Sequence, residues 1–384
     1  MSHDVRLYIS LCTVLAASYA TAVTIAQPIE LPRFDRVLLL EPSSETSANV
    51  NIGDVNADGH LDVVLAKGRH WPLVDRVLLG NGRGEFTTAY DLAPTADRSY
   101  SGNLVDLDLD GDLDIVISND LPDPKRIYIN DGKGRFREAG TYGRPQWSTR
   151  NAAIADVNGD RLPDIIVANR MPPGRGANYV CLNRGHAQFE HDCVAFSKES
   201  ATTITPVDVN HDGRTDLVVP HRDGGQSHIY INTSTRGALA FVPVPFGPSD
   251  AAIRMSAAAD LDRDGLIDLA AIDQKHGLFA FFGLGDNKFS APVPIGARGR
   301  TPYALKVADL NRDGGADIIV GHVEAASTVF FNDGSGRAFT PVDFGDGKGT
   351  PYGFDVADLN GDGHADIAAA RSDAPNAVYF ATFR

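Results

Sequence analysis

The residues best placed to do chemistry are aspartates at alternate positions. The run Asp54-Val-Asn56-Ala-Asp58-Gly59-His-Leu-Asp62 sets side-chain oxygens at positions 1, 3, 5 and 9, with glycine at position 6. In a tight turn alternate residues point inward, so this run makes a nest of hard oxygen ligands suited to Ca2+, and the glycine permits the sharp bend. The pattern returns as Asp106, Asp108, Asp110, Asp114, then Asp156, Asn158, Asp160, Asp164, then Asp208, Asn210, Asp212, Asp216. It continues as Asp260, Asp262, Asp264, Asp268, then Asp309, Asn311, Asp313, Asp317, and last Asp358, Asn360, Asp362, Asp366. The second loop has acids at five alternate positions and should hold an ion most strongly. The third, with Arg161 in place of glycine and with Pro163, leaves its occupancy open. An EF-hand would place Glu at position 12 between helices, whereas position 12 here is apolar, as at Leu65 and Ile117. The competing reading is an Asp-rich turn satisfied by its own backbone amides. Seven copies in one register favour structural calcium.

These loops must be held by something that repeats with them. Their first positions are spaced by 52, 50, 52, 52, 49 and 49 residues. After each ninth position comes a short β-branched or apolar run, such as Val63-Val-Leu-Ala66 or Ile115-Val-Ile-Ser118. A polar loop follows, then a second run such as Arg76-Val-Leu-Leu79, then a Gly-rich turn ending in Phe, as at Asn81 to Phe86. Short runs bounded by Gly, Asn and Asp read as strands in hairpins, and no sustained helical period competes. Four antiparallel strands in about 50 residues make one propeller blade. The turn phenylalanines precede the next acidic loop by 19 or 20 residues, and Phe34 precedes Asp54 by 20. Arg33 to Leu40 is therefore a fourth strand lacking its first three, and the chain ends where the last unit lacks its own. The expectation is an all-β fold: a single seven-bladed propeller of residues 27–384, with residues 31–40 completing the seventh blade and removing the open edge.

Aligning the units exposes two further columns. Five residues past the ninth position stand Lys67, Asn119, Asn169, His221, Asp273, His322 and Arg371. Six residues before the first position stand Ala48, Tyr100, Arg150, Thr202, Arg254, Tyr303 and Tyr352. Strand direction puts both on the face opposite the acidic loops. Nearby loops add Arg69, His70, Trp71, Arg98, Lys125, Arg126, Trp147, Arg170, Arg175, Arg222, Lys275, His276, Arg298 and Arg300. Polar residues at strand ends also cap backbone groups, which is the plainer account of any one of them. As an ensemble they make a basic, aromatic funnel in which rings stack on sugars and Arg forks match carboxylate, sulfate or phosphate. The expected ligand set is Lys67, Tyr100, Arg150, His221, Arg254, Asp273, Tyr303, His322, Tyr352 and Arg371.

The acidic loops and their strand context resemble the FG-GAP/VCBS repeat family, whose best-known members are the integrin α-subunit propellers. The resemblance covers about residues 31 to 384. It implies calcium on one face and ligands on the other, built by second-to-third strand loops and inter-blade loops. It names no ligand, since this architecture hosts adhesion domains, lectins and some polysaccharide lyases.

The leading expectation is a binding module for an anionic glycan or a protein partner. The alternative is an enzyme, a lyase on an acidic polysaccharide, with His221, His322, Tyr303, Tyr352 or Arg150 as catalytic candidates and Arg neutralising the carboxylate. No Gly-x-Ser-x-Gly, His-Glu-x-x-His or Walker-type motif supports a hydrolase or nucleotide reading. Leu7 to Ala26 form an apolar stretch ending in small residues and read as a secretory signal peptide spanning residues 1–26; Cys12 within it has a poor lipidation context. No other segment is long and apolar enough to span a membrane, so the mature chain is expected to be exported. Cys181 and Cys193 then sit in an oxidising setting on adjacent strands. A simple hairpin register does not set them opposite each other, so a local disulfide and two free buried thiols stay open.

The chain's charge also finds its place. The whole carries 50 Asp+Glu against 35 Lys+Arg, a net −15 that argues against a general nucleic-acid binder. Yet the 24 aspartates in the seven loops leave 26 acids facing those 35 bases, and seven Ca2+ would bring the total near neutrality. The acid belongs to one face, and the remainder of the molecule is basic.

Overall fold

The structure, a computed structural model, describes residues 30–170, 176–189, 193–235, 238–296 and 299–383. The apolar stretch from Leu7 to Ala26, with Cys12, lies outside the described residues, as do Arg175 and Arg298. Seven four-stranded antiparallel sheets form a seven-bladed β-propeller, with no helix among the described residues. No helix among them is long and apolar enough to cross a membrane. In the first blade the strands are Ser47–Gly53, Asp62–Lys67, Arg76–Gly80 and Phe86–Asp91. Blades two to six repeat this in chain order, from Ser99–Val105 through Phe339–Phe344.

The second strand of every blade is buried along its whole length, as in Asp62–Lys67 and Asp317–His322. Each blade stacks on two neighbours, so its second strand has no solvent face and reads in sequence as a largely apolar run. Outer fourth strands, such as Phe86–Asp91, are largely exposed to water. Seven apolar clusters lie between adjacent blades: Val50 and Leu65 of the first blade pack with Ala368, Ala370 and Phe380 of the seventh.

Ring closure follows the expected route. Strand Arg33–Leu39 pairs antiparallel with Ala377–Thr382, outermost in the sheet that holds Thr350–Ala357 and Asp366–Ser372. Val37 faces Tyr379, Leu39 faces Ala377, and Phe34 is 2% exposed within the cluster between blades six and seven.

Two blades depart from the repeat. In the third and fifth, the turn residues Phe189 and Phe289 make only isolated bridges, and the fourth strands shrink to Val194–Ser197 and Val293–Pro294. Pro292 and Pro294 account for the second case, because proline donates nothing to a ladder and is confined to edges. In the third blade the pairing of Val180 with Val194 does set Cys181 opposite Cys193, against the sequence expectation. Their Cα atoms are 4.3 Å apart and their sulfurs are bonded. That separation is typical of a non-hydrogen-bonded antiparallel pair, about 4.5 Å.

Candidate functional site

The two polar columns part company at a β-bulge. In the first blade Ser47 pairs with Lys67 and Asn49 with Ala66, leaving Ala48 as the extra residue. The same slip isolates Tyr100, Arg150, Arg254, Tyr303 and Tyr352 in blades two, three, five, six and seven. A bulge re-aims the unpaired side chain. Here it turns these residues out of the sheet toward the propeller axis, where all six, joined by Thr202, line one central cavity of about 280 Å³.

The cavity is built of guanidinium groups on phenol rings. Arg69 lies 3.5 Å above the ring of Tyr352, Arg254 3.4 Å above Tyr303 and Arg150 4.3 Å above Tyr100. Tyr303 and Tyr352 meet edge to face at 4.6 Å, and the Tyr100 hydroxyl is 3.0 Å from His70 Nε2. Arg170 and Arg222 complete five arginines, and no carboxylate lines the cavity among the described residues. From outside it, Asp120 pairs with Arg150 at 2.6 Å and Asp223 with Arg170 at 2.9 Å. Arg69, Arg222 and Arg254 have no carboxylate partner among the described residues. Arg69 Nε, Arg222 Nε and Arg254 Nη1 are buried without a hydrogen-bond partner.

Unpaired charge in a confined space shifts its own equilibria. Burial first, and then the neighbouring Arg222 and Arg69, pull the Arg254 guanidinium down to about 10 against the opposing effect of the two tyrosines. Burial, Arg69 and Arg150 lower His70, with Asp120 opposing. Burial would raise the Tyr303 phenol, but Arg254, the Tyr352 hydroxyl, Arg69 and Arg222 outweigh it and hold Tyr303 below the ordinary phenol value. Tyr352 moves the other way, raised by burial and by Tyr303. The space is therefore a positive, aromatic receptacle with Met255, Leu305 and Phe354 adding apolar wall.

The second column stays inside the blades, away from this cavity. Lys67, 1% exposed, is ion-paired with Glu41 and Glu45. Asn119 bonds Pro124 O and Asp97, Asn169 bonds Ala177 O, and Arg371 pairs with Asp346 at 2.7 Å. Asp273 engages His276 at 3.1 Å. The His221 backbone amide donates to Ser227 Oγ, and His322 sits in a separate groove between blades five and six. Of the loop residues, Arg69, His70, Arg170 and Arg222 reach the cavity. Arg98, Arg126 and Arg300 are held by Asp123, Asp97 and Asp343. Lys125 donates to three backbone carbonyls, Lys275 to Asp250 O, and Trp147 stacks on Tyr179.

On the opposite face the seven acidic loops share one wiring. The first Asp accepts the amides of positions 5 and 6, as Asp54 does from Asp58 and Gly59. The fifth accepts the amide of position 7, as Asp58 does from His60. The ninth is fully buried and uses both oxygens: Asp62 accepts from Val55 N within the loop and from Gly80 N of the third strand. Position 6 is left-handed throughout, with φ 84° at Gly59 and 71° even at Arg161. Burial above all, and then the other loop acids, raise the ninth carboxyl to about 6 at Asp62, Asp114, Asp268 and Asp366 and to about 7 at Asp164 and Asp317. Asp216 is raised likewise. The amide-satisfied turn weighed against calcium is thus physically present, and lone pairs remain on its carboxylates.

The loops differ at position 3. Where it is Asn, the amides of Asn56, Asn158, Asn311 and Asn360 donate to the fifth Asp at 2.9 to 3.0 Å, whereas in the fourth loop, with Asn210, Arg214 takes that Asp212 oxygen instead. Where it is Asp, no such bond forms. Asp106, Asp108 and Asp114 then bring one oxygen each within 4.8 Å of one another, as do Asp260, Asp262 and Asp268. Asp108 Oδ1 and Asp262 Oδ1 are buried without a partner. An unpaired buried oxygen among three carboxylates is a donor set that fits a hard divalent cation.

Sequence reasoning missed a set of staples. Asn130, Asn232 and Asn332 end third strands and Asn183 lies two residues past one, and each donates its amide to a loop carbonyl of the preceding blade: Val55, Val157, Leu261 and Leu107 in turn. The recurrence of Asn just before the Gly-rich turn was the available signal. Also missed were the cavity residues Asn49 and Asn151, next to bulges, and Thr203.

Comparison with known proteins agrees with this architecture. The profile described as FG-GAP-like repeat matches residues 54–117, 106–167, 156–219, 208–271, 260–320 and 309–369. Integrin alpha-PS5 of Drosophila melanogaster is 29% identical over 136 residues, which cover 30% of this chain and 14% of the integrin. Among solved structures, BBS1N in complex with ARL6DN superposes with a TM-score of 0.62 at 11% identity, over 92% of this chain and 97% of the other. An Agrocybe aegerita lectin, solved for its recognition of non-reducing terminal N-acetylglucosamine, gives 0.58 at 17% identity over 86% and 87%. These superpositions speak for the fold alone. With acidic loops in register and matching repeats over most of its length, the chain belongs to the FG-GAP-like repeat family.

Proposed function

We propose that this propeller is an exported binding module that takes an anionic ligand in its central cavity and is stabilised by calcium in its acidic loops. One observation carries the reading: five arginines converge with no lining carboxylate, and three of them leave buried N–H groups unpaired. Unmade hydrogen bonds from a buried charge are costly, so an oxyanion entering the cavity gains both charge and geometry. Tyr100, Arg150, Arg254, Tyr303 and Tyr352 are the ligand residues of this reading, with Arg69 and Arg222 added. Lys67, His221, Asp273, His322 and Arg371 act as blade-end supports. Either an acidic glycan or an acidic protein segment meets the cavity's charge requirement. The Cys181–Cys193 bond and the N-terminal apolar stretch support export to the periplasm or cell exterior.

A calorimetric panel of matched neutral and acidic sugars tests the central claim. Acidic members should bind and neutral ones fail, with Arg222→Gln and Arg254→Met each weakening the acidic ligand. Equal binding of both classes, or indifference to both substitutions, would overturn it.

A second reading rests on Tyr303. Its phenol is held below the ordinary value beside Arg254, the pairing a lyase needs to remove a proton from a carbon next to an Arg-neutralised carboxylate. Release of an unsaturated product absorbing in the ultraviolet, lost in Tyr303→Phe, would establish it. Retention of the polysaccharide without product rules it out for that sugar.

A further inference from the structure

The strongest clue outside the cavity is the residue one step beyond its wall. Arg69 and His70 line the cavity, and Trp71 follows with 69% of its surface exposed, the highest among the exposed large apolar side chains. Single exposed apolar residues are ordinary on protein surfaces, and exposure by itself carries no weight. What sets Trp71 apart is how firmly its loop is fixed. Gly68 and Arg69 both adopt left-handed backbone, at φ 111° and 53°, and Trp71 N donates to Gly68 O at 2.9 Å. Arg69 N donates to Ser99 O at 3.1 Å, and Leu73 exchanges hydrogen bonds of 3.0 Å in both directions with Asp97 of the approach to blade two. Both feet of the loop are therefore tied to the neighbouring blade, and the turn between them turns Arg69 inward over Tyr352. A non-glycine residue in that conformation is strained, and strain persists where the surroundings impose it. The same turn leaves the indole outside, where among the described residues no ring or cation stacks on it.

We infer that Trp71 is an outer stacking subsite, so that the ligand is an acidic glycan chain with one charged unit in the cavity and the next sugar lying on the indole. This rests on the anion-binding reading above and names its ligand class. The chemistry separates a glycan from an acidic peptide. A cavity of about 280 Å³ falls just below the range of about 300–1,000 Å³ usual for drug-sized ligands, so it admits one ring-sized unit. Beside the guanidinium-covered phenol rings, the apolar Met255, Leu305 and Phe354 offer surfaces for the C–H face of a sugar, which a small hydrated ion would leave unused. An exposed indole one residue beyond the cavity lining would continue that pattern outward, since Trp supplies a large contact area at little entropic cost. Successive Cα atoms are about 3.8 Å apart, so the Trp71 backbone lies one residue step from His70 in the cavity wall, within reach of a unit that follows the one in the cavity.

The experiment compares galacturonic acid with its linear trimer on the full chain, by calorimetry and by tryptophan emission. Only two tryptophans are present, and Trp147 is buried against Tyr179, so a ligand-induced change in emission reports Trp71. The trimer should bind at least tenfold tighter than the monomer and shift the emission, while the monomer leaves emission unchanged. Trp71→Ala should erase the tenfold gain without altering monomer affinity, and Trp71→Phe should restore part of it. Equal affinities with a silent Trp71→Ala would overturn the outer subsite and leave the cavity's anion binding standing. If neither sugar binds but a triglutamate peptide does, the glycan class is overturned while anion binding stands. If none of the three binds, both readings fail.

Discussion

The two faces of this propeller use the same seven-fold frame in opposite ways. On one, seven loops repeat nearly the same residues and nearly the same hydrogen bonds, so that Asp62 and Asp366 are wired alike. On the other, seven equivalent positions hold Ala48, Tyr100, Arg150, Thr202, Arg254, Tyr303 and Tyr352, and together they make one asymmetric cavity. Sameness is what a structural element needs, because every blade must close its own hairpin and lean on its neighbour. Variety is what a receptor needs, because one ligand sees all seven positions at once. Variety alone does not suffice: Lys67, Asn119, Asn169, His221, Asp273, His322 and Arg371 vary as much, yet lie in the sheets and blade ends. The bulge that turns one column inward, and not its neighbour, separates the two.

Both faces depend on the closed ring, so its removal should have the largest effect. Deleting residues 27–40 strips the fourth strand from blade seven and exposes the pocket of Phe34. Loss of a buried aromatic alone costs about 3–5 kcal/mol. A fall in melting temperature of roughly 10 °C or more is expected, read by circular dichroism. A deletion variant as stable as the parent would refute closure by this strand.

Calcium separates the faces next. A site filled at ten times its Kd stabilises the fold by about 1.4 kcal/mol. Chelation should lower the melting temperature, and Asp108→Asn with Asp262→Asn should remove a larger share of that response than Asp58→Asn with Asp160→Asn. Equal shares would show that the Asp-bearing loops two and five are not special. No response to chelator at all would refute the calcium assignment.

The cavity should respond in the opposite sense. Arg254→Met removes a charge-assisted contact worth about 1.5–3 kcal/mol, a loss of roughly 10- to 150-fold in affinity for an acidic ligand. Because it also removes a buried charge crowded by Arg222 and Arg69, stability should hold or rise. A variant that binds normally but melts early would make Arg254 structural and dissolve the contrast between the faces. Smaller again is Asn332→Ala, which cuts the bond to Leu261 O and frees a buried carbonyl. About 1–3 kcal/mol of stability should go, with ligand affinity unchanged.

Much of this was legible in the sequence, for reasons that can be named. Asp106 and its counterparts report a local turn, and local turns are set by neighbouring residues. Phe34 reported closure because its spacing to Asp54 matches that of the other turn phenylalanines to their loops. The pairing of Cys181 with Cys193 was not legible, since register across a turn of variable length cannot be counted from residue types. Nor was the division between Tyr100 and Asn119, which depends on a one-residue slip against the partner strand. Period and polarity locate a column on a face; a bulge decides where its side chains go.

The smallest effect tests the column that the bulge leaves behind. His322 is 6% exposed, with Nε2 3.2 Å from Thr328 Oγ1 and Nδ1 unpartnered. Thr328 gives its own proton to Asp343, so the imidazole must donate from Nε2 and keep Nδ1 bare. Burial, then Arg300, lower His322 to about 4 from 6.5, with Asp343 opposing. A depressed histidine favours the fold while neutral, so its contribution is complete above about pH 6.5 and is lost as pH falls toward 4. His322→Gln should therefore flatten the acid limb of stability by about 1–2 kcal/mol between pH 7 and pH 5, read by urea unfolding at each pH. It should leave acidic-ligand affinity at pH 7 untouched, because His322 lies in the groove between blades five and six and not in the cavity. If the substitution weakens the ligand instead, the second column shares in binding, and the bulge no longer marks the boundary between support and receptor.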